Sequence, residues 1–410
     1  MLSAARSILP PAARGDGPPG GREAALAALL PMLHAARTAA GVGRGPPAAG
    51  SEPWPVRAWW ATLTTDERDR AVASFPARVG RLAGLPAAVR GRANERVLDA
   101  ELARLRSRRV LTGGDRRRLE TCLVVRRQLD LVRARTDPVT RAALVAQLLV
   151  FRPGAFGGAG RVALAVGDVD EAGNVVVLVP GLGSGVRATL GGLTADATRL
   201  ARGARRLAVS EQTAAVAWLG YDAPDLGDVA SDAAAVAGAD LLARDLLAVR
   251  ASRDVPPHLT VVGHSYGSTT AGTALRDHAT GTDDLVLVGS PGPNVETARE
   301  LQVPKGHVFA GASSRDPVGY LDRFGADPTH EDFGAYRFRA EDPSRHPYRL
   351  DLDDHSKYFR AGSESLANIV AVVAGEYGAL RPAAYRDEVW LLPDGLNSDP
   401  EADRDPTFVP

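Results

Sequence analysis

Leu259-Thr-Val-Val-Gly-His-Ser-Tyr-Gly-Ser268 decides how this chain is read. Its first four residues are a short apolar, β-branched run of the kind that forms a buried strand, and its last are small residues suited to the entry of a helix. Between them Gly263, Ser265 and Gly267 make the pattern G-x-S-x-G. Two residues without Cβ atoms permit a turn that bulkier ones crowd, so the spacing predicts Ser265 at the tip of a strand-to-helix elbow with its hydroxyl exposed. A hydroxyl is a poor nucleophile near neutral pH. Ser265 therefore acts as one only if the rest of the chain supplies a base and a group to orient that base. The competing reading is an ordinary turn built from small residues.

Outward from the elbow, strands alternate with helices. Apolar runs at 162–166 and 175–179 flank an acidic, glycine-containing turn and predict an antiparallel hairpin that leads into a parallel sheet. Further strands are expected at 214–219, 259–262, 285–288 and 308–312, and helices at 193–209, 229–249, 269–277 and 364–373. Nearly continuous Val and Leu strands require apolar cover on both faces. The fold class is therefore α/β, a mainly parallel sheet flanked by helices, with functional groups expected at the strand ends.

The base and its orienter follow in the chain order serine, acid, histidine. Ser313-Ser-Arg-Asp-Pro-Val318 places Asp316 just after a strand, where a carboxylate can fix a histidine tautomer; Asp322, Asp327, Glu331 and Asp332 remain alternatives. Asp351-Leu-Asp-Asp-His-Ser-Lys357 offers His355 in a polar loop as the base, with His330 as its competitor. His264, beside the serine, is read as support for the elbow. His34, His258, His278, His307 and His346 show no convergent partners in the sequence. For the developing oxyanion, one backbone N–H comes from Tyr266 and a second from Leu182 in the loop Val179-Pro-Gly-Leu-Gly-Ser-Gly185. That loop is not a dinucleotide fingerprint, because the last position of G-x-G-x-x-G falls on Val186. There is no G-x-x-x-x-G-K-[ST] loop, and the 351–355 cluster has no second histidine at ligand spacing. No cofactor and no metal are expected.

Upstream, residues 54–153 read as helical. Thr64 and Thr65 precede Asp66 and Glu67 in a helix-start pattern, Pro76 stops that helix, and two amphipathic helices at 94–109 and 116–135 are expected on either side of a Gly113-Gly114 turn. Trp54, Trp59 and Trp60 are read as packing residues, with a partner-binding face as the alternative; Cys122, the single cysteine, is read as a buried, inert thiol. From 81 to 135 there are 15 arginines against 6 acidic residues, yet the 410-residue chain as a whole balances 49 basic against 49 acidic residues. With no aromatic residue interleaved among those arginines, nucleic-acid binding is not expected. Segment 1–53 is expected to be mostly flexible apart from a helix at 23–39, and 380–410 to be an extended tail. Pro10 and Pro11 interrupt the only early apolar run, and no run approaches the roughly 18 apolar residues that a bilayer span requires. A cytoplasmic location is expected.

The block Val261-Val-Gly-His-Ser-Tyr-Gly-Ser268 resembles the α/β-hydrolase superfamily. Together with Trp218-Leu-Gly-Tyr-Asp-Ala-Pro224, Ala312-Ser-Ser-Arg-Asp-Pro-Val318 and Asp354-His-Ser-Lys-Tyr-Phe359, it is similar to an actinobacterial branch of largely uncharacterised serine hydrolases. Phe75-Pro-Ala-Arg-Val-Gly80, Gly84-Leu-Pro and Arg92-Ala-Asn94 resemble the helical segment that precedes the core in that branch, so the resemblance covers about 59–378. It implies an α/β-hydrolase domain at 154–379 behind the helical region 54–153. It also implies a triad of Ser265, Asp316 and His355, with an oxyanion loop beginning at Gly181. The expected activity is hydrolysis of a carboxylic ester through an acyl-enzyme, on a small-molecule acyl substrate. An amidase or peptidase with the same triad and a noncatalytic interaction module are the alternatives. The 220–228 loop and the 319–346 segment are expected to rim the substrate site.

Overall fold

The computed structural model describes residues 45–224, 231–341 and 351–385. The helix expected at 23–39, the tail beyond 385, His34, His346 and parts of both expected rim segments lie outside these residues.

Among the described residues four helices, α1 (Pro53–Thr62), α2 (Thr65–Ser74), α3 (Pro76–Val79) and α4 (Ala87–Arg106), precede α5 (Gly113–Arg133). The α2 cap is reciprocal: the Thr64 hydroxyl accepts from the Glu67 N–H while Glu67 accepts from the Thr64 N–H. Thr112 and Asp115 repeat that arrangement at α5. Gly113 and Gly114 consequently lie inside the first turn of α5 rather than in the connecting turn the sequence suggested, because the capping box at Thr112 fixes the start three residues earlier than expected. α4 is tied to the sheet by Asn94, whose Nδ2 donates to Leu148 O at 2.8 Å, and by Asp170, which accepts from the Ala87 and Ala88 N–H groups at its N-terminus.

The sheet has eight strands: β1 (Ala146–Arg152), β2 (Arg161–Val166), β3 (Asn174–Val179), β4 (Thr213–Leu219), β5 (His258–His264), β6 (Asp284–Val288), β7 (Val308–Gly311) and β8 (Tyr336–Arg337). Their order is β1-β2-β4-β3-β5-β6-β7-β8, with β2 antiparallel to both neighbours and every pair from β4 onward parallel. The expected hairpin between 162–166 and 175–179 does not form. β4 lies between those strands, pairing Val162 with Leu219 and Val175 with Ala214, and β2 instead forms its hairpin with β1. Gly167, at φ +100°, marks the crossing beneath β4, since a Cβ there would lie 2.7 Å from Thr213 O.

Between the strands run α6 (Val186–Leu207), α7 (Ala233–Ala251), α8 (Tyr266–Asp277) and, after the sheet, α9 (Glu364–Val373). Alternation along the strands divides the core. Val162, Leu164 and Val166 face one buried layer with residues of α4, α5, α6 and α9, whereas Ala163 and Ala165 face a second layer with α7 and α8. A third cluster, including Trp59, Trp60 and Val72, binds the N-terminal helices together; Cys122 is buried in the first layer, where desolvation pushes its thiol up to about 12. Among the described residues no helix is long and apolar enough to cross a membrane.

Candidate active site

The parallel register places the ends of β3, β5, β6 and β7 along one edge. At the end of β5, Ser265 adopts φ 54° and ψ −136°, a conformation costly for a non-glycine residue, and its N–H donates to Val288 O at 3.0 Å. The elbow leaves no room for side chains on either flank. A Cβ on Gly263 would lie 2.6 Å from Ser268 Cα, and one on Gly267 would lie 2.2 Å from Val179 O. Beneath it, the Ser268 hydroxyl is 2.6 Å from Ser265 O and 2.7 Å from Ser290 Oγ, and Ser290 Oγ accepts from the Gly292 N–H. With one proton per hydroxyl, this chain runs from Ser290 through Ser268 to the Ser265 carbonyl.

Asp316 and His355 are brought together. His355 Nδ1 is 2.8 Å from Asp316 Oδ2, and because an ionised carboxylate only accepts, Nδ1 carries the proton and Nε2 presents a lone pair. Asp316 also accepts from the Tyr358 hydroxyl at 2.6 Å and from the Val318 N–H at 2.9 Å. Burial pushes this carboxyl up, but the hydrogen bonds and the His355 charge outweigh it and hold it below the usual carboxylate range. Arg315 joins the two loops: its Nε donates to Asp354 Oδ2 at 2.7 Å, and its carbonyl accepts from the Asp351 N–H. The carboxylates of the 351–354 cluster are thus engaged by Arg315 and Lys357. No group of three or more His, Cys, Asp or Glu among the described residues is arranged to hold a metal ion.

Ser265, His264 and His355 line one cavity of about 620 Å³, with Leu182 and Tyr266 also in its wall. No hydrogen bond joins Ser265 Oγ to His355 among the described residues. The loop after β3 comes so close that a Cβ on Gly181 would lie 2.6 Å from Ser265 Cβ. Neither the Leu182 nor the Tyr266 N–H is engaged by another backbone group among the described residues, which leaves both donors available beside Ser265. This loop is clamped by the segment after β4: the Tyr221 hydroxyl donates to Pro180 O at 2.7 Å, and the Gly183 N–H donates to Pro224 O at 2.9 Å. Tyr221 and Pro224, expected at a substrate rim, thus buttress the loop from behind.

His264 supports the histidine segment as well as the elbow. Its Nε2 is 2.7 Å from His355 O, its ring lies 4.8 Å from that of His355, and burial followed by the neighbouring imidazole pushes it down to about 4. It is neutral at pH 7 and donates to that carbonyl. His330 instead faces Asp327 at 3.7 Å and is absent from the cavity wall, while Asp327 accepts from Thr329. The participants that the sequence reading missed are Tyr358 and Gly289. Gly289 has φ +54°, and a Cβ there would approach Tyr358 Cε2 to 2.7 Å, Asp316 Oδ2 to 2.8 Å and His355 Nδ1 to 3.1 Å. Its place directly after a β-branched strand was the available signal.

A mainly parallel sheet covered on both faces, with a strained serine turn between strand and helix, is the architecture of an α/β-hydrolase. Residues 157–326 match the family described as Alpha/beta hydrolase. The uncharacterized protein Rv2079 of Mycobacterium tuberculosis is 33% identical over 381 residues, covering 82% of this chain and 57% of that protein. The chain thus spans little more than half the length of this relative. The uncharacterized protein Rv0963c of the same organism is 37% identical over 178 residues, 40% of this chain and 65% of that protein. Among solved structures, carboxyl esterase 2 from the fungus Tuber melanosporum matches at 12% identity with a TM-score of 0.35, over 60% of this chain and 89% of that one.

Proposed function

We propose that the protein is a serine hydrolase that cleaves a carboxylic ester of a small-molecule substrate through an acyl-enzyme. The observation that carries this reading is the 2.8 Å Asp316–His355 contact, which leaves Nε2 as the unprotonated nitrogen of a histidine that lines the same cavity as Ser265. Ser265 Oγ attacks the ester carbonyl and gives its proton to His355 Nε2; the carbonyl oxygen takes the negative charge and accepts from the Leu182 and Tyr266 N–H groups. Collapse breaks the C–O bond, and the leaving alcohol takes the proton from His355. Water then attacks the acyl-enzyme, losing a proton to His355; collapse breaks the bond from the acyl carbon to Ser265 Oγ, which takes that proton back as the acid departs. Asp316 holds the Nδ1–H tautomer and stabilises the imidazolium without taking the proton.

A fluorophosphonate probe should label the wild-type protein and not Ser265→Ala, and a panel of short esters, amides and peptides should show ester turnover. His355→Ala should lower that turnover by about 10³-fold or more while folding is kept, and His330→Ala should leave it intact. Unlabelled, folded wild-type protein would sink the proposal.

A further inference from the structure

One wall of the cavity over Ser265 is α6, on which Ala188, Gly192 and Asp196 stand four residues apart and share a helix face. Ala188 and Gly192 project almost nothing, which leaves a trough. Asp196, about 12 Å beyond Ala188 along the axis, is the first side chain of that row with reach. Much of the remaining wall is apolar, with Leu182, Val318, Leu321 and Phe359 in it, although Ser184, Thr189, Arg323 and Ser356 also line the cavity. A carboxylate at the end of such a trough is out of place unless something holds it and something answers it.

Arg199, one turn on, holds it: Nη2 donates to Asp196 Oδ1 and Nε donates to Phe359 O at 2.8 Å, so the carboxylate is fixed between helix and cavity wall. Asp196 Oδ2 has no hydrogen-bond partner among the described residues. Burial pushes this carboxyl up to about 6 despite the adjacent guanidinium. An all-carbon chain laid along the trough would strip water from Oδ2 and return nothing, whereas a chain ending in a donor would replace the lost bond.

We infer that Asp196 is a specificity-determining residue that selects acyl groups carrying a hydrogen-bond donor, such as a hydroxyl, at the far end of a chain as long as the trough. This rests on the ester-hydrolase reading. A hydrogen-bonding site rejects the analogue lacking the matching group more strongly than an apolar pocket rejects an added one.

The test uses p-nitrophenyl esters of plain and ω-hydroxy acyl chains, matched in length from octanoyl to dodecanoyl. Wild-type kcat/KM should favour the ω-hydroxy member by about tenfold or more at one length in the series. Asp196→Leu should abolish or invert that ratio, and Asp196→Asn, which keeps an acceptor oxygen, should retain part of it. A general structural defect would lower both substrates together and leave the ratio unchanged. Binding of the matched free acids to Ser265→Ala, followed by calorimetry, supplies a readout without turnover and should show the same preference. Ester turnover with no ω-hydroxy preference, or with a preference that survives Asp196→Leu, overturns this inference alone. Absence of turnover and of probe labelling overturns the hydrolase reading, and the calorimetric preference then decides whether Asp196 recognises the donor.

Discussion

Gly289 lies where three groups of the proposed machinery meet, and it is glycine for two separate reasons. Its φ of +54° costs an L-residue about 1–2 kcal/mol. A Cβ there would also press on Asp316 Oδ2 and His355 Nδ1, whose mutual orientation sets the direction of Nε2. Gly289→Ala should therefore lower kcat toward esters by up to about 100-fold with little change in KM, because misplacement of the base affects the transition state more than binding. Urea unfolding should show a loss of about 1–2 kcal/mol, too little to unfold the protein. Steady-state kinetics checks the first effect, and an unchanged kcat would mean that the Asp316–His355 pair tolerates displacement. Such a residue is hard to read in advance: Val286-Leu-Val-Gly-Ser290 looks like any strand end, and the functional meaning of Gly289 exists only once Tyr358 and His355 fold over it.

At the scale of elements, the loop after β3 owes its position to the segment after β4. The Tyr221 hydroxyl binds Pro180 O, and its ring stacks on Trp218 at 5.8 Å. Tyr221→Phe keeps the stacking and removes one donor, leaving a buried carbonyl unsatisfied at a cost of about 1–3 kcal/mol. kcat should fall by about tenfold while KM holds, since in the proposed mechanism the adjacent Leu182 N–H serves the developing oxyanion. A lowered Tm with unchanged kcat would show that the loop is placed by other contacts. The same elements mark how far sequence reaches. Ser265, Gly181, Leu182 and Tyr266 were legible as candidates because each belongs to a local pattern, a strand running into a small-residue turn. Asp316 and His355 were legible only through chain order, since several acids and two histidines satisfied the same composition. The ties that favour this pair, Tyr358 to Asp316 and Arg315 to Asp354, link residues about 40 apart. Strand pairing failed for a related reason. Buried runs such as Arg161–Val166 and Asn174–Val179 announce strands by their apolar content, but with both faces covered they carry no alternation to identify a neighbour, and β1 passed unnoticed behind two amphipathic helices.

For the molecule as a whole, β5 joins the two edges of the sheet and carries a histidine at each end, and the two respond to pH with opposite signs. His258 Nε2 is 2.7 Å from the fully buried Asp284, which also accepts from the Tyr377 hydroxyl and contacts His307 Nδ1. Burial pushes His258 down, but the Asp284 hydrogen bond and charge outweigh it and raise it above its ordinary 6.5. A raised folded-state value means that this contribution is fully present below pH 6.5 and disappears as pH rises through the folded-state value. At the other end, His264 is pushed down to about 4, so between 6.5 and 4 the unfolded chain takes up a proton that the folded chain refuses. Stability is lost as pH falls through that window, by about 3 kcal/mol when the shift is converted. Asp196, pushed up to about 6, works the other way over much of the same range, because its folded form holds a proton the unfolded carboxylate has released. The wild-type curve sums these opposing slopes, and differences between variants separate them. His264→Gln keeps a donor for the His355 carbonyl but removes the titration, so its Tm relative to wild type should rise steadily as pH is lowered from 6.5 to 4. His258→Gln should change the curve above pH 6.5 instead, flattening the decline toward alkaline pH. Thermal unfolding of the three proteins across pH 4–8 reads both differences, and a His264→Gln offset that stays constant with pH would mean that His264 titrates alike in the folded and unfolded chain.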